Sequence, residues 1–172
     1  IEFTKVIEYK PLVDAAIEQS EHKPEKVILF QRPQAKAQMQ AGRDLDWYEC
    51  QEGVEPADYV KLPSNHPLYI MYTSGTTGKP KGVLRENGPN AVALNYALRN
   101  VYNMQDGDVW WGISDIGWVV GHSFIVYGPL MGGCTSVFYE GKPIRTPDAG
   151  AFWRVIEEYK VNSLFCAPTA FR

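Results

Sequence analysis

The stretch that most narrows what this chain can fold into is residues 68–82, where an apolar run empties into a short polar turn. Leu68-Tyr69-Ile70-Met71-Tyr72 is aromatic and apolar and reads as a buried strand. The run that follows, Y-T-S-G-T-T-G-K-P-K-G from Tyr72 to Gly82, holds three glycines (Gly75, Gly78, Gly82), four hydroxyls (Thr73, Ser74, Thr76, Thr77) and the lysines Lys79 and Lys81. Such a loop at the end of a strand suits phosphate. Glycine lets backbone N–H groups come close to an anion, hydroxyls add donors, and ammonium groups add charge.

The loop is not the G-x-x-x-x-G-K-[ST] phosphate loop. Thr73 stands where the first glycine belongs, and Pro80 replaces the hydroxyl after the lysine. A flexible Gly/Ser/Thr linker has similar composition. Linkers do not sit between two apolar strand-like runs, however, and Val83-Leu84-Arg85 resumes strand character just beyond Gly82. With 172 residues, 45% hydrophobic and 22% charged, the chain can bury one sizeable core. A net charge of -3 with scattered lysines and arginines excludes a nucleic-acid footprint. Cys50, Cys134 and Cys166 are far apart and read as reduced, buried thiols. His22, His66 and His122 are equally dispersed, so no metal site is expected, and His122 reads as a core histidine.

Along the chain, Thr4 to Tyr9 alternates like a strand, Leu12 to Gln19 is a short helix led by Pro11, and Lys26 to Gln31 is a second, apolar strand. Strand, helix, strand implies a βαβ unit and an α/β fold. Asp44 to Cys50 has the pattern of a short amphipathic helix, and Glu52 to Pro67 is a proline-punctuated connection. Beyond the loop, helix is expected over Asn90 to Asn100, strand over Val109 to Ile113, strand over Thr135 to Tyr139, a helix from Asp148 to about Lys160, and strand over Asn162 to Cys166. Gly107 is placed in a turn at positive φ. That order from residue 67 predicts a doubly wound sheet. Ile116 to Met131 is an apolar run of sixteen residues with Ser114 or Asp115 as its cap. Sixteen helical residues rise about 24 Å, short of a hydrocarbon layer of roughly 30 Å. A buried core helix is expected, not a membrane span.

T-S-G-T-T-G-K-P-K-G resembles the phosphate-binding signature of the adenylate-forming superfamily. G-R-D-L-D-W-Y-E and D-I-G-W-V-V-G-H-S resemble its AMP-forming short-chain acyl-CoA synthetases of the acetyl- and propionyl-CoA type. The resemblance implies an α/β fold of mostly parallel sheets with flanking helices, part of the N-terminal domain of the adenylate-forming fold. On that reading residues 1–172 are a piece of one larger adenylation domain, with 1–66 a βαβ lead-in and 67–172 carrying the phosphate loop and acyl pocket. It assigns Thr73, Ser74, Gly75, Thr76, Thr77, Gly78 and Lys79, and secondarily Lys81, to the β- and γ-phosphates of ATP, which brings Mg2+ with it. Trp118 is assigned to the incoming thiol of coenzyme A, and Val119, Val120 and Gly121 to the acyl pocket and thiol channel. No residue of the chain is assigned as a catalyst.

Val120 stands where that family usually has threonine, and Ile144 where it has asparagine; both polar residues are associated with CoA contact there, so those contacts are not carried over. The more apolar wall leads us to expect propionate over acetate. The family's adenine motif, ribose-binding aspartate and late lysine have no match in the chain. It opens on Ile1 and stops at Arg172 after A-P-T-A-F, so an internal fragment, inactive alone, is expected. Its partners would be a small carboxylate, ATP, CoA, the rest of its own N-terminal domain and a C-terminal domain. The compartment implied is the cytoplasm or the mitochondrial matrix. Two other readings stay open: another adenylate-forming enzyme, and a non-catalytic nucleotide- or phosphate-binding module.

Overall fold

The computed structural model describes residues 6–74, 78–141 and 147–171. The chain divides into two compact units, Ile1–Tyr59 and Val60–Arg172. In the first unit, helix α1 (Lys10–Gln19) carries Pro11 in its opening turn, where the missing N–H has no intrahelical partner to lose. Strands β1 (Val27–Leu29) and β2 (Asp44–Asp46) pair in parallel, with Val27 opposite Asp44. The expected strand over Thr4 to Tyr9 is not formed at residues 6–9, and the rest of it lies outside the described residues. Asp44 to Cys50 is not a helix either: Asp44–Asp46 is extended, and only Glu49–Gln51 winds as a 3₁₀ turn. The reason is tertiary. Asp44 is buried to meet Lys10 and Arg43, and strand alternation turns its carboxylate inward while leaving Leu45 exposed.

The second unit starts with a hairpin. Strands β3 (Pro67–Thr73) and β4 (Lys81–Glu86) pair antiparallel, with Thr73 opposite Lys81. The strand expected over Leu68 to Tyr72 is formed but not buried: Ile70 and Tyr72 are exposed, because the two-stranded hairpin covers neither of its own faces. Seven residues separate them, too few for the crossover that a parallel pairing needs. The doubly wound expectation therefore fails for these two strands, which form their own sheet. Helix α2 (Asn87–Tyr96) starts three residues earlier than expected and continues through a wider, π-type turn over Ala97–Val101.

Strand β5 (Val109–Ile113) lies where the sequence puts it, in the middle of a parallel sheet ordered β6-β5-β7, with β6 at Thr135–Ser136 and β7 at Ser163–Cys166. The strand expected over Thr135 to Tyr139 is thus shorter, although the Val137 N–H still donates to the Trp110 carbonyl at 2.9 Å. Between β5 and β6 runs a continuous helical rod, α3 (119–131), built of Val119–Gly121, a π-type turn over His122–Tyr127, and Gly128–Met131. Helix α4 (Ala151–Tyr159) joins β6 to β7.

Two neighbouring tryptophans show how the layers stack. Successive strand residues face opposite sides of a sheet. Trp110 packs with Tyr102, Phe124 of α3 and Phe165 of β7, whereas Trp111 packs edge-on to Tyr139 and Phe152 of α4. Both are essentially fully buried, so α3 covers one face and α4 the other. Leu98, Met104 and Cys134 complete the core on the Trp110 side. Of the three thiols expected to be buried only Cys134 is; Cys50 and Cys166 are half-buried. The α3 rod is not enclosed on every side as expected, since Val126, Leu130 and Met131 are exposed. No helix among the described residues is long and apolar enough to cross a membrane.

Candidate functional site

The hairpin presents the polar loop at its tip. The Thr73 hydroxyl reaches the Lys81 carbonyl at 3.5 Å across the neck, and Ser74, Gly78, Lys79 and Lys81 are all exposed. Gly78 has φ +81°, the left-handed region in which side chains are disfavoured, so glycine here is a requirement of the turn. Gly75, Thr76 and Thr77 lie outside the described residues. The loop is therefore held narrow at its base with its described polar groups turned to solvent, as an anion cradle needs.

The second predicted segment is the entrance to α3. Asp115 does not cap the rod; its carboxylate accepts from the Gly117 N–H at 2.7 Å and its carbonyl from the Trp118 N–H at 3.1 Å. That local turn competes with helix and delays the rod's start to Val119. Trp118 is left 66% exposed at the mouth, while Val119 and Val120 are half-buried. Gly121 is buried, and a Cβ there would fall 2.3 Å from the Asp115 carbonyl. The turn and the rod can approach this closely only with glycine at that position. The Trp118 carbonyl accepts both the His122 N–H and, at 3.1 Å, its Nδ1.

The sequence reading did not single out Tyr69 or Tyr127. The Tyr69 ring lies 5.3 Å from His122 and stacks on Tyr127 at 5.8 Å and 9°. These contacts tie the hairpin to α3, and the available signal was the alternation that puts Tyr69, Met71 and Thr73 on one face of β3. Also missed was a cleft of about 120 Å³ at the carboxyl ends of β5 and β6. Trp111, Ile113, Ser114, Asp115, Phe138 and Tyr139 are among its lining, whereas Trp118–Gly121 are not. The chain leaves β5 toward one face of the sheet and β6 toward the other, and open α/β sheets bind ligands at the carboxyl ends of such strands. The first unit has its own concavity of about 960 Å³, bordered by Lys10, Asp14, Phe30, Gln31, Arg32 and residues 34–40.

Residues 3–172 match the model of a family of AMP-binding enzymes. The chain is 69% identical over 172 residues to an uncharacterised protein of Pseudomonas aeruginosa, covering 100% of this chain and 27% of that one. It is 53% identical over 173 residues to the mitochondrial acyl-CoA synthetase short-chain family member 3 of Homo sapiens, covering 100% of this chain and 25% of that protein. With the propionate–CoA ligase of Salmonella typhimurium it shares 46% over 170 residues, 98% of this chain and 27% of that one. The solved structure of acetoacetyl-CoA synthetase from Streptomyces lividans matches with a TM-score of 0.81 at 27% identity, over 95% of this chain and 24% of that chain. The chain thus spans about a quarter of the length of the relatives it matches. On the strength of the family match and this shared fold, the chain belongs to the AMP-binding enzymes.

Proposed function

We propose that the full-length polypeptide is an AMP-forming short-chain acyl-CoA synthetase. A carboxylate oxygen attacks the α-phosphorus of ATP, giving an acyl-adenylate and releasing pyrophosphate. The CoA thiolate then attacks the acyl carbon and releases AMP. Neither step needs a protein nucleophile, so catalysis rests on positioning and on charge held around the phosphates. The observation that carries this reading is the exposure of Ser74, Gly78, Lys79 and Lys81 at the tip of a hairpin pinned at its neck where Thr73 faces Lys81.

Thr73, Ser74, Gly75, Thr76, Thr77, Gly78 and Lys79 would take the β- and γ-phosphates, with Lys81 in support. Trp118 would meet the thiol, and Val119, Val120 and Gly121 would border the acyl group. Mg2+ would travel on the triphosphate, which leaves most of its ligands as phosphate and water oxygens. The names of the human and Salmonella relatives support short-chain acids as substrates. We place the enzyme inside the cell, in the cytoplasm or a mitochondrial matrix.

Carboxylate-dependent exchange of pyrophosphate into ATP by the full-length enzyme tests the first step, and its absence defeats the reading. Val120 in place of threonine makes the acyl wall more apolar without shrinking it. Propionate should therefore exceed acetate in kcat/KM by about ten- to two-hundred-fold, since one methylene is worth roughly 1–3 kcal/mol in such a pocket. Val120→Thr should narrow that ratio. Equal kcat/KM for the two acids, or a ratio indifferent to Val120→Thr, would remove the argument for propionate.

A further inference from the structure

We propose that Tyr69, His122 and Tyr127 form an aromatic bracket whose task is to hold the Trp118 turn in place against the hairpin that carries the phosphate loop. Tyr69 and His122 are then positioning residues for the carboxylate, acting through the Trp118 backbone on Val119, the first residue of the proposed acyl wall. This rests on the function proposed above.

The bracket exists because α3 does not wind regularly. His122 and Tyr127 are five residues apart. On a regular helix of 3.6 residues per turn, positions five apart diverge by about 140°. The π-type turn over His122–Tyr127 unwinds the rod and narrows that divergence, so that one ring, Tyr69, meets both. Pro129, just beyond, has no N–H to offer the carbonyls one turn back, Phe124 and Ile125. Both are served from the sheet: Trp110 Nε1 donates to the Phe124 carbonyl at 2.6 Å and the Ser136 hydroxyl to the Ile125 carbonyl at 2.7 Å. The wide turn is therefore anchored to β5 and β6, a fixed feature of the rod.

From that anchored turn, His122 Nδ1 reaches back 3.1 Å to the Trp118 carbonyl. A carbonyl only accepts, so Nδ1 must carry the proton there. The contact fixes the backbone of Trp118, which leads directly into Val119 at the proposed acyl wall. On the other side, Tyr69 lies on the same face of β3 as Thr73, four residues and about 13 Å before it. Its hydroxyl is buried and has no hydrogen-bond partner among the described residues. The ring, not the hydroxyl, is what the bracket uses.

The test is made on the full-length enzyme. Tyr69→Leu and His122→Leu should each raise the carboxylate KM about tenfold, the loss of one interaction made to an orienting group, while the KM for ATP changes less than about twofold. Tyr69→Phe should keep the wild-type carboxylate KM, and His122→Asn, whose amide can donate to the Trp118 carbonyl, should recover most of it. A Tyr69→Phe enzyme as impaired as Tyr69→Leu would mean that the hydroxyl meets a ligand, and the bracket would be wrong. Parallel rises in both KM values would also overturn it. Nitrogen-15 NMR of His122 gives a readout independent of turnover: the neutral ring should carry its proton on Nδ1, and a proton on Nε2 refutes the contact. An enzyme without carboxylate-dependent exchange defeats the proposed function; an active enzyme with unchanged variant kinetics defeats only the bracket.

Discussion

Asp44 shares an ion-pair cluster with Lys10, Asp14 and Arg43. Its side chain is fully buried, with Arg43 Nε at 2.6 Å and Lys10 Nζ at 2.8 Å. Lys10 also meets Asp14 at 2.7 Å, and Arg43 closes the ring onto Asp14. The Arg43 hydrogen bond holds the Asp44 carboxyl well below its ordinary 3.8 against the opposing effect of burial, with help from the Gln40 N–H and Lys10. Asp14 is lowered by its bonds to Lys10 and Arg43. Burial alone would lower the Lys10 ammonium, but the two carboxylates carry it above its ordinary 10.5. The acid-side sign follows from the depressed aspartates. Their contribution is complete above pH 3.8 and disappears as the pH falls through their native values. The base-side sign follows from Lys10, whose contribution is complete below 10.5 and fades as the pH rises beyond it. Asp44→Asn leaves Lys10 and Arg43 to share the single carboxylate of Asp14 and should lower the melting temperature by roughly 5–10 °C at neutral pH. It should also flatten the acid side of the stability profile. Thermal melts of both proteins between pH 2 and 7 check this, and parallel profiles would contradict it.

At the scale of elements, α3 shows a helix shaped by what it packs on. A Cβ on Gly112 would fall 2.4 Å from the Phe124 carbonyl, so β5 and the rod touch backbone to backbone. Close contact lets the Trp110 indole reach the carbonyl that Pro129 cannot serve. Trp110→Phe keeps an aromatic ring and removes that donor. It should destabilise by about 1–3 kcal/mol from the stranded carbonyl alone, more with the lost volume. Ser136→Ala, which removes the neighbouring donor, should cost about 1 kcal/mol. Urea unfolding of each variant gives the values, and a neutral Trp110→Phe would show the carbonyl finds another donor.

At the scale of the molecule, the chain is about a quarter of its relatives. Among the described residues the parallel sheet of the second unit has three strands, and the hairpin's outward pair, Ile70 opposite Leu84, is exposed. A two-stranded sheet is marginal by itself. We expect the 172-residue polypeptide, assayed alone with ATP, CoA and propionate, to release no pyrophosphate, while the full-length enzyme does. Turnover by the short chain would overturn that expectation.

Much of this was legible in the sequence because it depends on local chemistry. The Leu68–Tyr72 strand and its Gly/Ser/Thr/Lys loop, the buried Val109–Ile113 strand and the Gly107 turn all follow from propensities and backbone freedom within a few residues. What needed the tertiary structure depends on partners distant in the chain. Asp44–Asp46 reads as helix yet is drawn into a strand by Lys10, because a buried carboxylate must find its cation. The hairpin's separation from the parallel sheet, the wide turn of α3 and the meeting of Tyr69 with His122 belong to the same class. Local pattern specifies which segments are strand or helix, and long-range pairing of buried polar groups and close backbone contacts decides how they are bent and joined.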